Sequence, residues 1–166
     1  AVTVPHDWAI SGPFDKKWDL QVVAIKENGE DKPTEHSGRS GSLPWNGKGF
    51  SKTTVHIAEG TAYAELKFDG AMAAPEVNVN GKKAGHWAYG YNAFRVDITP
   101  YIHTGDNLIE VALENEEESN RWYPGGGIYR PVTLITHATK SRLDLWGLQM
   151  QTLSIDGGRA LIDIRH

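Results

Sequence analysis

The sequence predicts an all-β fold, an antiparallel β-sandwich of the jelly-roll kind, and three observations carry that expectation. First, apolar residues alternate with polar ones through several short runs, the period-two mark of strands with one buried face. In AYAELKFDG, for example, Ala62, Ala64, Leu66 and Phe68 fall on one side and Tyr63, Glu65 and Lys67 on the other. Second, Gly, Pro and Asn interrupt these runs at short intervals, as the turns of a sandwich or jelly roll require. Third, helical periodicity is nearly absent. With 166 residues, the chain is long enough to bury one sizeable core.

In chain order, TVHIAEG (residues 54–60) reads as a first strand candidate and AYAELKFDG as the next. PEVNVNGKKAGHW sets Asn80-Gly81 between two short extended pieces, the strongest local hairpin signal. DITPYIHTG offers the best helical candidate, a single turn with Pro100 at its start and Asp97 or Thr99 as its cap. DNLIEVALEN follows a Gly105-Asp106 turn and groups Ile109, Val111 and Leu113 on one face. IYRPVTLITHA repeats the pattern with Val132 and Leu134. The stretch from Lys26 to Gly41 is polar and carries Gly and Pro without an apolar period, so it reads as an exposed loop.

From Leu143 onward the chain follows a sandwich that already looks complete. This tail reads as the first hairpin of a second β-domain, with Asp156-Gly157 in its turn. The expected division is therefore a sandwich over residues 1–138 and a linker plus truncated second domain over residues 139–166. The abrupt opening at AVTVPHDW and the close inside the alternation ALIDIRH point to a piece of something longer.

Composition narrows the function classes. A net charge of -4 and a pI near 6.0 argue against nucleic-acid binding, which leaves a basic footprint. No apolar run approaches the length needed to cross a bilayer as a helix. The absence of cysteine removes disulfides and thiolate metal sites but fits either redox compartment. The seven histidines (His6, His36, His56, His86, His103, His137 and His166) are scattered without metal-ligand spacing, so neither a metal nor a cofactor is expected. No nucleophile elbow, zinc-protease helix, phosphate loop or dinucleotide fingerprint occurs. The acidic run ENEEES, Glu114 to Ser119, reads as a solvated loop. His6 in PHDW reads as part of a local hydrogen-bonded clasp, with a catalytic role as the alternative.

The stretch NRWYPGGGIYRPVTL, Asn120 to Leu134, fits carbohydrate recognition best. Sugars present C–H faces that stack on indole and phenol rings, and hydroxyls that hydrogen-bond to Arg, Asn and Asp. Asn120, Arg121, Trp122 and Tyr123 supply both kinds of group in four consecutive residues. A Trp beside glycines is equally a core anchor, and the residues alone leave both readings open.

Five motifs then occur in order: VPHDWAISGPF (residues 4–14), GSLPWNGKGFSK (41–52), FDGAMAAPEVNVNGKKAG (68–85), YGYNAFRVDITPYIHTGDNLIEVALEN (89–115) and RWYPGGGIYRPVTL (121–134). Together they resemble the amino-terminal sugar-binding domain of glycoside hydrolase family 2, the group of β-galactosidases, β-glucuronidases and β-mannosidases. The form with PHDW and RWYPGGGIYR is most similar to bacterial β-galactosidases.

The resemblance implies a galactose-binding-like jelly roll, then an immunoglobulin-like sandwich, then a catalytic (β/α)₈ barrel. It also implies a retaining mechanism whose two glutamates lie on that barrel, outside this chain. It makes Arg121 and Trp122, with Asn120 beside them, the candidate contacts to the sugar at the barrel's mouth. The partner implied is a β-glycoside, a galactoside first, met at the interface with the barrel; a homo-oligomer is a second, because family 2 enzymes often self-associate. The family's polymer-degrading bacterial members are often exported to the periplasm or secreted.

On this reading the glycines let the backbone approach a ligand or a neighbouring domain, and Arg130 makes a structural ion pair. Two departures stand out: Phe50 where the family often has Tyr, which would loosen a buried hydroxyl contact, and Pro131 where a polar residue is frequent. Two other classes of answer remain, a free-standing carbohydrate-binding module and a structural domain with Trp122 in its core.

Overall fold

Among the described residues, two antiparallel sheets face one another across an apolar core. The computed structural model describes residues 2–8, 21–27, 30–36, 47–115, 126–145 and 147–166. Its strands are β1 (Gln21–Glu27), β2 (Glu30–His36), β3 (Gly47–Ile57), β4 (Tyr63–Phe68), β5 (Glu76–Val79), β6 (Lys82–His86), β7 (Phe94–Asp97), β8 (Gly105–Asn115), β9 (Val132–His137), β10 (Gln149–Asp156) and β11 (Arg159–Arg165). The two core sheets run β3-β8-β5-β6 and β7-β4-β9, and β1-β2 and β10-β11 form two further two-stranded sheets. The all-β sandwich expected from the alternation is the fold.

The alternation works as it should on the inner faces. Ile109, Val111 and Leu113 on β8 and Val77 and Val79 on β5 join Leu66 and Phe68 on β4 in one buried cluster. Each such side chain contributes about 1.5–3 kcal/mol relative to exposure. Val132 and Leu134 on β9 pack against the same cluster at its margin.

The turns follow their chemistry. Asn80 (φ 51) and Gly81 (φ 76) are both left-handed, as a two-residue hairpin needs. Thr99–Tyr101 forms the expected single turn as a 3₁₀ helix, and Asp97 Oδ1 accepts from the Thr99 N–H at 2.9 Å. The fully buried Asn107 locks this end of the sandwich. Its Oδ1 accepts from Asn80 Nδ2 (2.8 Å) and the His103 N–H (2.9 Å), while its Nδ2 donates to the carbonyls of His103 (2.7 Å) and Gly105 (2.8 Å).

Three expectations need correction. The polar stretch from Lys26 is largely not a loop: β1 pairs antiparallel with β2 in a register that runs from Gln21↔His36 to Glu27↔Glu30. The two intervening residues in sequence are Asn28-Gly29, the dipeptide that also joins β5 to β6. Turn chemistry can set a hairpin without an apolar period, and that signal outweighs the polar composition.

The second correction concerns the tail. β10 and β11 do form a hairpin, but its left-handed turn residues are Gly157 (φ 52) and Gly158 (φ 77), one step later than expected.

Third, the outer face of β4 is not solvated. Glu65 is only 4% exposed; it accepts from the Tyr63 hydroxyl at 2.8 Å and pairs with Arg95 Nη1. The Arg142 guanidinium, from the segment after β9, lies 3.5 Å from the centre of the Tyr63 ring. Burial, helped by the hydrogen bond to Glu65, pushes the Tyr63 phenol from 10.0 up to about 12.

Below pH 10 this phenol is protonated whether the chain is folded or not. Between pH 10 and 12 the unfolded chain releases the proton that the folded chain retains, so stability falls as pH rises. That rise sets a ceiling of about 3 kcal/mol lost across that window. Urea unfolding from pH 9 to 12 should therefore show a steeper alkaline decline for the native chain than for Tyr63→Phe. Equal declines would mean that the phenol titrates normally.

Candidate functional site

Asn120, Arg121 and Trp122 lie outside the described residues, as does Tyr123. The structure describes the far end of their segment, Gly126 to Arg130, and what holds it. Gly127 exchanges two backbone hydrogen bonds with Met72, each 2.9 Å. On its other side the amino-terminal segment pairs with the same backbone, through His6 N–H to Ile128 O (2.8 Å) and Trp8 N–H to Gly126 O (2.9 Å). The Gly126 N–H donates to Asp7 Oδ1 at 3.3 Å. The PHDW motif is thus the clasp that the sequence suggests, with Asp7 as an acceptor and Trp8 as a wedge.

This arrangement explains two of the three consecutive glycines. A Cβ on Gly126 would overlap Trp8 Nε1, and one on Gly127 would stand 2.7 Å from the His6 carbonyl oxygen. Gly49, on β3, is excluded from carrying a side chain by the same indole ring. Gly127 also sits at φ +111, a conformation that L side chains rarely adopt. Within this chain the close approach at Gly126 and Gly127 is to Trp8 and His6.

Beyond the glycines the chain anchors a second loop. The Tyr129 hydroxyl donates to Gly90 O at 2.9 Å. Arg130 Nη1 reaches the carbonyls of Tyr91 (3.2 Å) and Asp69 (3.3 Å), and its guanidinium lies 5.2 Å from the Tyr129 ring centre. Arg130 thus holds backbone carbonyls where an ion pair was expected. Gly90 is buried so closely against Met72 that a Cβ would come 2.5 Å from its sulfur. Burial raises the Tyr129 phenol above its ordinary value.

Residues 126–130, Met72 and the loop 87–92 therefore form one continuous rim. On it Tyr89 and Tyr91 stand 55% and 37% exposed, their ring centres 5.5 Å apart and tilted by 55°. Trp87, on the same loop and 40% exposed, stacks on the buried Phe94 at 5.9 Å. Reading the sequence for a site singled out residues 120–123 and passed over these rings. The available signal was the spacing Trp-x-Tyr-x-Tyr around a glycine.

A concavity of about 620 Å³ opens between the sheets on the side of β3 and β9. Val55, Leu66, Phe68, Ile109, Val111 and Leu134 line its apolar part, and Ser51, Lys52 and Thr53 of β3 bring polar groups to it. Phe50, at its lip, is 79% exposed, and no buried hydroxyl contact is at stake there. Among the described residues, no three His, Cys, Asp or Glu side chains are grouped to hold a metal ion.

The family described as "Glycosyl hydrolases family 2, sugar binding domain" matches residues 1–138. The chain is 33% identical over 165 residues to the β-galactosidase BoGH2A of Bacteroides ovatus, an alignment covering 97% of this chain and 17% of that protein. Its structure resembles that of a β-glycosidase from Bacteroides vulgatus, with a TM-score of 0.71 and 28% identity over 99% of this chain and 20% of the other. A β-glucuronidase from Bacteroides uniformis is similar over 72% of this chain and 16% of its own, with a TM-score of 0.57 and 25% identity. The chain thus spans a fifth or less of each of these proteins.

Proposed function

Because the chain belongs to the sugar-binding domains of glycoside hydrolase family 2, we propose that it is the accessory amino-terminal domain of a retaining β-galactosidase. Its role is to buttress a catalytic barrel and to close one side of the sugar subsite with residues 120–123. The two carboxylates of a retaining mechanism would come from the barrel. Arg121 and Trp122, flanked by Asn120, would then supply a charged hydrogen-bond donor and a stacking ring. The observation that carries this reading is the 33% identity to a β-galactosidase along 97% of the chain. The rim built from Gly127, Met72 and Gly90 supports it, because it anchors the chain directly after Gly126.

The proposed division places the jelly roll at residues 1–138 and a linker with the start of an immunoglobulin-like domain at 139–166. The exposed Met150, Ile155, Leu161 and Ile164 on β10 and β11 support the second part, since an apolar hairpin of two strands calls for cover. A β-glucuronidase parent is the second reading, supported by the likeness to the Bacteroides uniformis enzyme.

The test is hydrolysis of a panel of nitrophenyl β-glycosides by the complete protein and by this chain alone. Cleavage of the galactoside by the complete protein only is the expected result; cleavage of the glucuronide instead favours the second reading. In the complete protein, Arg121→Ala should lower kcat/KM by about 10- to 100-fold, the range of one charge-assisted hydrogen bond. An unchanged kcat/KM would remove Arg121 from the site.

A further inference from the structure

Tyr89 and Tyr91 are exposed aromatic rings on a loop that is held unusually firmly from beneath. The carbonyls of Gly90 and Tyr91 are taken by Tyr129 and Arg130, and Gly90 is seated on Met72. The rings themselves touch each other and face outward. Orienting an aromatic pair on a pinned backbone removes much of the ordering cost of binding.

We infer that Tyr89 and Tyr91 form a stacking platform for an outlying ring of an oligosaccharide substrate, beyond the sugar that is cleaved; the inference rests on the hydrolase reading above. Position is the first argument. The platform joins the glycine turn directly, through Gly90 on Met72 and Met72 paired with Gly127. The tyrosines therefore sit on the rim that adjoins the glycine turn, within reach of a glycan that extends beyond a subsite there.

Chemistry is the second argument. Two phenol rings tilted by 55° with centres 5.5 Å apart offer faces for sugar C–H groups and hydroxyls for sugar oxygens. A net charge of -4 makes a nucleic acid a poor occupant for the same rings.

The test compares two substrates in the complete protein, nitrophenyl β-galactoside and β-1,4-linked galactotetraose. The double variant Tyr89→Ala, Tyr91→Ala should lose about tenfold in kcat/KM on the tetraose, through KM, and stay within about twofold on the nitrophenyl glycoside. The Tyr89→Phe, Tyr91→Phe pair keeps the rings and should retain most of the tetraose activity. Equal losses on both substrates, or a lowered Tm with no change in their ratio, would mean that the tyrosines pack against the rest of the protein, and the platform is overturned. No change on the tetraose overturns it as well. A native protein that cleaves neither substrate overturns the β-galactosidase reading, and the platform with it; cleavage of the nitrophenyl glycoside with no selective loss overturns the platform alone.

Discussion

Replacing Gly127 by alanine is expected to lower the unfolding free energy of the chain by about 4 kcal/mol, from backbone strain and from overlap together. At φ +111 an alanine is strained wherever it is placed, at about 1–3 kcal/mol. Its Cβ would also stand 2.7 Å from the His6 carbonyl oxygen, so the amino-terminal segment must move away. That movement lengthens the His6–Ile128 and Trp8–Gly126 backbone bonds and lifts the indole from its slot between Gly126 and Gly49.

Gly47 is the built-in control, because its φ is +119 and a Cβ there would meet nothing within 4 Å. Gly47→Ala should therefore cost the backbone term alone. Urea unfolding of the two variants isolates the clasp as the difference, about 2 kcal/mol in excess at Gly127. Equal losses would show that the amino-terminal segment adds no stability through that contact. In the complete protein, the same loosening would reach the rim that carries Tyr89 and Tyr91, since Gly127 pairs with Met72 and Met72 underlies Gly90.

Much of this arrangement was legible in the sequence, for physical reasons that differ from residue to residue. Ile109, Val111 and Leu113 announce β8 because one face of that strand meets the core. Asn80-Gly81 announces its hairpin because both residues must be left-handed. The family was legible through five short motifs, and they meet in space: PHDW closes on the glycine run, Gly49 abuts the Trp8 indole, and Met72 joins Gly127 to Gly90.

What could not be read was the identity of the partner at each close approach. Glycines state that something comes near, and only the fold says that at Gly126 and Gly127 it is Trp8 and His6. Likewise, Arg130 beside a strand suggests a carboxylate, whereas the fold presents it with two carbonyls. The period-two rule also assumes one wet face, and β4 breaks it because its outer side is covered by Arg95 and Arg142. The platform tyrosines were missed because exposed aromatics have no period to betray them. The candidate contacts Asn120, Arg121 and Trp122 rest on the family resemblance.

The outer face of β4 supplies the other large effect. Glu65→Ala is expected to cost about 3–5 kcal/mol, since it leaves the Arg95 guanidinium half-buried without its carboxylate and the Tyr63 hydroxyl without its acceptor. The cost belongs to the stranded partners more than to the pair itself. Removing both charges with apolar groups of similar size, Glu65→Leu with Arg95→Met, should therefore recover most of the loss.

Urea unfolding of the native chain, the single variant and the double variant decides the matter. If the double variant is as unstable as the single one, the ion pair contributes net stability that apolar packing cannot replace. If it recovers, the charges are retained for another reason, and the structure offers one. Tyr63 is the surface on which Arg142 sits, and Arg142 belongs to the segment that leads from β9 to the β10–β11 hairpin. A Glu65 carboxylate that holds the Tyr63 hydroxyl would then serve to fix where that segment leaves the sandwich. The double variant should accordingly be cut faster by trypsin after Lys140 or Arg142 than the native chain, even where its unfolding free energy is restored.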